Sequence, residues 1–183
     1  MSTFPPAGID TERLTLRYPR LEDFEEQLAM WADPLVVRYI TGKPATREEM
    51  WSRFLRSVGH WQLLGYGPWV VRDKRTGRLV GDVGLGDFHR DISPPLGDGK
   101  EAGWVLASWA HGQGFATEAV RAALAWAEHR FGPERVVCII HPANAGSLQV
   151  ARKCGFREFS RGLYKGESTV MFERPAPGPS APG

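Results

Sequence analysis

The reading of this chain turns on "SWAHGQGFATEA", Ser108 to Ala119. An apolar run, "EAGWVLAS", leads into it, and a stretch from about Phe115 to Phe131 follows with Ala119, Ala123, Ala127 and Phe131 on one helical face. The N–H groups of a helix's first turn have no intrahelical partner and sit at the positive end of its dipole. Glycine lets a ligand oxygen reach those groups with no Cβ in the way. Gly112 and Gly114 give that clearance, Ala116 is small and Thr117 adds a hydroxyl. The junction therefore either holds an anion, usually a phosphate, or is a tight turn with no ligand.

Two common occupants fit poorly. A dinucleotide fold requires G-x-G-x-x-G after the first strand and a carboxylate at the end of the next one. Here "GQGFAT" puts Thr117 at the third glycine position, and the following strand ends "IIHPAN". An ATP-binding loop requires Gly-Lys-Ser/Thr, and the stretch has no lysine.

Working outward, "ERLTLRYP" alternates as a first strand and stops at Pro19. "LEDFEEQLAMWAD" carries Leu21, Phe24, Leu28 and Trp31 at helical spacing, with Pro34 as its end. "TREEMWSRFLRSVGHWQLL" is a second helix, with Thr46 and Glu49 at capping-box spacing. "GPWVVRDKRTGRLVGDVGLGDF" reads as a hairpin through Thr76–Gly77, and "RDISPPLGDGK" as a loop. After the glycine stretch and its helix come a continuous apolar strand "ERVVCIIH", a short helix "NAGSLQVARKC" closed by Gly155, and a last hairpin. Within "GDVGLGDF", Gly81, Gly84 and Gly86 read as close backbone approach or a bulge rather than a nucleotide site.

The fold class is α/β: one domain, residues 1–174, with a mixed, mostly antiparallel sheet, a central parallel βαβ unit and flanking helices. Residues 175–183, Pro- and Gly-rich, are expected to be a disordered tail. The hydrophobic content of 42% is that of an ordinary soluble domain, and a net charge of +2 with no dense basic block argues against nucleic acid as a partner. No apolar run reaches membrane-spanning length and the N-terminus lacks a signal-peptide layout, so the expected location is cytoplasmic, as a monomer or homodimer. Cys138 and Cys154 read as packed thiols, and the five histidines show no metal-ligand spacing, so no metal is expected.

Two motifs together point to a family. "HGQGFA" is similar to the acetyl-CoA signature Gln/Arg-x-x-Gly-x-Gly/Ala of the GNAT superfamily of N-acetyltransferases, matching at Gly114 and Ala116. "GQGFATEA" resembles the "WGxGYATEA" of its ribosomal-protein N-terminal acetyltransferase branch, and "NAGSLQVARKCGF" resembles that branch's "N-x-x-S-x-x-V-x-x-K-x-G-F". "DTERLTLR" followed by an acidic helix also looks like its opening, so the resemblance runs almost to Arg174. One departure is His111, which stands where the motif usually has Gln, Arg or Trp.

The resemblance implies an acyl-CoA N-acyltransferase fold and direct attack of a neutral amine on the thioester of acetyl-CoA, the cosubstrate. Such a reaction needs a positioned donor, a stabilised oxyanion, a route for the amine proton and a protonated leaving thiol. It also implies that His111, Gly112, Gln113, Gly114, Phe115, Ala116 and Thr117 hold the pyrophosphate, with pantetheine between splayed fourth and fifth strands. The Leu106 N–H is then the oxyanion donor, and Asn144 lies near the pantetheine while capping its helix. Glu101, at the start of the fourth strand, is the expected proton acceptor; its alternative is an exposed strand-end acid, since free carboxylates ionise near about pH 4. The tyrosine that many members place seven residues after the motif Asn is Ala151 here, so Ser147 is the expected partner of the coenzyme sulfur; its alternative is to complete the helix start. Glu118 is read as structural.

The implied acceptor region, where the first two helices meet the last hairpin, is rich in aromatics: Trp31, Tyr39, Trp51, Trp61 and Trp69. An α-amine titrates near about pH 8 and a lysine near about 10.4, so a weak base suits an α-amine better. The expected acceptor is a protein N-terminus. The rival readings are acetylation of a small amine of the aminoglycoside or polyamine kind, and a non-catalytic acyl-CoA sensor.

Overall fold

The computed structural model describes residues 7–176. Strands β1 (Ile9–Asp10) and β2 (Leu14–Arg17) lead through a 3-10 turn into α1 (Phe24–Trp31), α2 (Pro34–Val37) and α3 (Arg47–Leu64). Strands β3 (Pro68–Asp73), β4 (Leu79–Gly86), β5 (Ile92–Ser93) and β6 (Lys100–Leu106) follow. A second 3-10 turn, Ser108–Ala110, opens onto α4 (Phe115–Phe131), then β7 (Val136–Ile140), α5 (Ala145–Lys153), β8 (Arg157–Tyr164) and β9 (Glu167–Arg174).

These strands form a single sheet in the order β1-β2-β3-β4-β6-β7-β9-β8-β5. Every neighbouring pair is antiparallel except β6 and β7, which α4 joins as the crossover. That parallel pairing is confined to Lys100↔Val136 and Glu101↔Val137, after which the two strands part. The splay is thus a property of the ladder, and Glu101 stands at its apex.

The two sheet faces have different covers. Val83 and Leu85 of β4 and Ala102 and Leu106 of β6 are buried with Phe115, Ala119 and Ala123 of α4. On the other face Phe24, Trp31, Met50 and Phe54 of α1 and α3 pack on Val70 and Leu79, with Val105 against them. Alternation along a strand therefore turns Asp82, Gly84 and Gly86 of β4, and Glu101, Gly103 and Val105 of β6, toward the α1–α3 face.

Local chemistry explains the boundaries. Thr46 Oγ1 accepts from Glu49 N, and the Glu49 carboxylate accepts from Thr46 N, closing the capping box that starts α3. Pro34 does not simply end the first helix: it is the first residue of α2, where a missing N–H is harmless, and Asp33 caps that helix by accepting from Leu35 N at 2.9 Å. The segment read as a loop, "RDISPPLGDGK", contains β5, an edge strand pairing Ile92 and Ser93 with Tyr164 and Leu163. Long-range pairing with β8 overrides the turn-rich composition there. Gly81 and Gly84 allow close backbone approach, since a Cβ would stand 2.1 Å from Val105 O and 2.4 Å from Gly67 O, respectively. Of the tail, residues 177–183 lie outside the described residues.

Candidate active site

The glycine junction is open and pre-shaped. Gly112 and Gly114 have φ of +73° and +79°, the left-handed region that suits glycine. Gly114 is the N-cap of α4 and contributes no side chain to cap it. A Cβ at Gly112 would meet nothing within 4 Å, and one at Gly114 would meet only Arg13 Nη2, at 3.4 Å. The first-turn amides at Phe115, Ala116 and Thr117 thus face a space with no side-chain cap, which fits the anion the junction was read to hold.

Surrounding residues fix this loop. Gln113 Nε2 donates to Trp109 O at 2.6 Å, and Ser108 Oγ donates to Asp33 Oδ2 at 2.6 Å. His111 stays exposed but folds back on β6: its Nε2 lies 2.9 Å from Leu106 O, and because a carbonyl only accepts, that nitrogen carries the hydrogen. Phe115 is buried, with Arg13 4.5 Å above its ring. Arg13 also donates to Gln113 O and pairs with Glu118, which accepts from Thr11 Oγ1 and Arg13 N as well. Burial alone would raise the Glu118 pKa, but these donors outweigh it and hold the carboxyl below its usual range. Glu118 therefore pins β2 to the start of α4, and it brings a cation to the loop's rim.

The splay is lined by backbone. Ala107 N–H donates to Val80 O at 2.9 Å, and Val105 O faces Gly81 on β4. Successive peptide groups of a strand alternate, so the Leu106 N–H and C=O point to the opposite edge, into the splay. Across the gap, Asn144 Oδ1 accepts from Ser147 N at 3.1 Å and caps α5. Ser147 Oγ in turn accepts from Trp104 Nε1 at 3.2 Å. With that acceptance satisfied by an indole, the serine retains its own O–H for donation. Trp104, Ser147 and Asn144 are thus linked across the gap from β6 to α5.

Glu101 is not an exposed strand-end acid; only 8% of its side chain is accessible. Oε1 accepts from Arg90 Nε at 2.9 Å and Nη2 at 2.7 Å, and Oε2 from Nε at 2.6 Å. Oε2 therefore keeps a lone pair beyond those the guanidinium uses. Arg90 Nη1 donates to Tyr164 Oη at 2.8 Å, and the guanidinium lies over the rings of Phe88 and Tyr164. Glu101 and Arg90 line a cavity of about 470 Å³ together with Phe88, Ile92, Leu96 and Val137.

Between Glu101 and Val105 the α1–α3 face opens at Gly103. The register opposes Gly84 to Gly103 and Gly86 to Glu101, and a Cβ at Gly103 would meet nothing within 4 Å. Gly103 is exposed although it lies in a central strand. Of the aromatics expected around an acceptor, Trp31, Trp61 and Trp69 are core residues, and Trp51 is exposed on α3. Tyr39 stacks on His141 at the end of β7, with centroids 5.3 Å apart. Burial pushes the Cys138 thiol well up and raises that of Cys154, so both are inert packing residues.

Three partners were not found from the sequence. Arg90 reaches Glu101 from a loop eleven residues away, Trp104 reaches Ser147 across the splay, and Arg13 reaches Gln113 from 100 residues earlier in the chain. No local spacing encodes any of them.

Comparison with known proteins agrees with this geometry. The family model described as an acetyltransferase (GNAT) domain matches residues 13–157. The uncharacterized protein YkkB of Bacillus subtilis (strain 168) is 30% identical over 173 residues, spanning 90% of this chain and 93% of its own. Among solved structures, a putative GnaT-family acetyltransferase from Bordetella pertussis superposes with a TM-score of 0.82 at 28% identity, over 92% of this chain and 99% of that one. An acetyltransferase from Agrobacterium tumefaciens str. C58 gives 0.79 at 26%, over 93% and 95%. None of these descriptions names an acceptor.

Proposed function

Because the chain belongs to the GNAT family and is an acetyl-CoA-dependent acetyltransferase, we propose that its acceptor is the α-amine of a protein or peptide N-terminus, as in the ribosomal-protein branch whose motifs it resembles. The observation that carries this reading is the Glu101–Arg90 pair. Three of the lone-pair positions of Glu101 are already used by a guanidinium, so the site holds no free strong base at the apex of the splay. The reaction must then draw on the fraction of amine that is already neutral in solution. An α-amine is about a tenth neutral at pH 7, whereas an alkylamine is neutral to well under about one part in a thousand.

In the proposed mechanism the amides of Gly114 to Thr117 bind the pyrophosphate, with Gly112, His111 and Gln113 shaping the loop around it. Pantetheine lies along the free edge of β6, beside Asn144. The Leu106 N–H stabilises the charge that develops on the thioester oxygen. The amine attacks from the α1–α3 face, over Gly103, and its proton passes to Oε2 of Glu101, directly or through one water. Ser147 donates its O–H toward the departing sulfur, held in that orientation by the Trp104 N–H it accepts.

A thiol-release assay with acetyl-CoA tests the reading against peptides with free N-termini, the same peptides blocked, spermidine and an aminoglycoside. Turnover confined to free N-termini is the expected result. Turnover of the small amines alone would replace it with a small-amine acetyltransferase.

A further inference from the structure

The nature of the acceptor beyond its amine is written in the wall of the groove, and this inference rests on the N-terminal reading above. Arg53 and Arg56 lie on one side of α3, three residues apart, and Arg90 continues the row from the β4–β5 loop. The Arg53 guanidinium sits 3.8 Å over the Trp31 ring and is near Asp82, which opposes Val105 across the β4–β6 ladder. Arg90 holds Glu101, which opposes Gly86. Arg56 lies between them, 5.6 Å from the Phe88 centroid and repelled by Arg90 as Arg53 is by both. The row thus runs along the α1–α3 face from the level of Val105 to that of Glu101, with the open Gly103 between them.

The acids near this row offset it only in part. Glu101 is engaged by Arg90, and Asp82 and Glu49 act on Arg53 from beyond ion-pair distance, with Asp82 Oδ1 accepting from Gln27 Nε2 at 2.6 Å. Among the described residues, neither Arg53 nor Arg56 has a carboxylate at ion-pair distance. Burial, and then repulsion from Arg56, lowers the Arg53 pKa to about 10; burial and then Arg90 lower that of Arg56. Arg53 is partly buried and Arg56 exposed, and folding gains nothing from holding two like charges side by side with no carboxylate at ion-pair distance. A ligand that supplies the missing anion gains from it, and a polycation is repelled.

We propose that the groove binds an acceptor amine followed by a carboxylate, which Arg53 and Arg56 receive: an N-terminus with Asp or Glu among its first few residues. An extended peptide advances roughly 3.3 Å per residue, so with its amine at the splay the next two or three side chains lie beside the row. A free amino acid carries the same amine–carboxylate chemistry in a shorter span.

The test measures kcat/KM for peptides identical except for Glu, Gln or Lys at positions two and three, alongside free amino acids and spermidine. Preference for the Glu peptides over the Lys peptides by at least about tenfold is expected, from one charge-assisted contact. That preference should collapse in Arg56→Gln and reverse in Arg56→Glu, with thermal melts showing both variants folded. Arg53→Gln provides a second variant with the same expected direction. Equal rates for all three peptides, or a preference that survives every variant, would overturn this inference while leaving N-terminal acetylation standing. Better turnover of amino acids than of any peptide assigns the carboxylate to a small acceptor and overturns the peptide form. Turnover of spermidine alone would overturn both readings.

Discussion

Replacing Glu101 by Gln separates the two things that carboxylate does. In the native protein the acid and Arg90 form a pair that is 8% and 21% exposed, joined by three contacts of 2.6 to 2.9 Å. Glutamine preserves one acceptor oxygen and removes the charge, leaving the guanidinium with the Tyr164 hydroxyl and two aromatic faces. Breaking a buried pair from one side costs about 3–5 kcal/mol, and the retained oxygen places Glu101→Gln near the lower end. For a chain of this length each kcal/mol is about 2–4 °C in Tm, so the expected loss is roughly 6–12 °C by calorimetry. Arg90→Gln combined with Glu101→Gln removes both charges and should recover much of that loss, giving a coupling of up to about 3 kcal/mol in a double-mutant cycle. Kinetics then divide structure from chemistry. Glu101→Gln should lower kcat far more than it raises KM for acetyl-CoA, and the double variant should regain stability without regaining kcat. Purely additive stability losses would refute the buried-pair argument. An unchanged kcat in the single variant, or one restored in the double, would remove Glu101 from the proton route.

Other outcomes follow from the same geometry. Gly114→Val forces a branched side chain to φ +79°, a conformation costing about 1–2 kcal/mol, and should raise KM for acetyl-CoA on the order of tenfold; an unchanged KM would argue against the α4 terminus as the donor site. Ser147→Ala should depress turnover about tenfold with coenzyme A affinity intact, and Trp104→Phe should shift it the same way by less; a wild-type rate in Ser147→Ala would discard its role at the sulfur. Asp23, fully buried, has a pKa that burial would raise but that bonds from Arg17 and Arg72 bring below 3.8. A depressed carboxylate stabilises the fold above its unfolded value and loses that contribution as pH falls through its folded one. Wild-type stability should therefore drop as pH falls below about 4, and Asp23→Asn should be less stable at pH 7 with a flatter acid limb in urea titrations; identical pH profiles would contradict this.

What could be read from the sequence was what local chemistry encodes. Alanine spacing placed α4 at Phe115–Phe131, and Thr46 with Glu49 placed the start of α3, because helix periodicity and capping are set within a few residues. The glycine junction and the Asn144 cap were legible for the same reason. The first helix ends ahead of Pro34, as its spacing indicates, but that proline also opens α2, which only the Asp33 cap on Leu35 N reveals. β5 was missed because two residues at a sheet edge carry no period and owe their state to β8. Around the site, the sequence pointed to Glu101 and Ser147 without their partners. Arg90 meets Glu101 and Trp104 meets Ser147 only after the sheet has formed, and although Arg53 and Arg56 share a helix face by spacing, their place beside β4 and β6 leaves no local pattern to read.

The central claim is acetyl transfer from acetyl-CoA to an N-terminal α-amine at the splay of β6 and β7. The most direct measurement uses one peptide that carries both a free acidic N-terminus and an internal lysine. After incubation with enzyme and acetyl-CoA, tandem mass spectrometry locates the acetyl group. A single acetyl on the α-amine is the predicted product. Acetylation at the lysine alone, or an unmodified peptide with an enzyme that binds coenzyme A, would contradict the account.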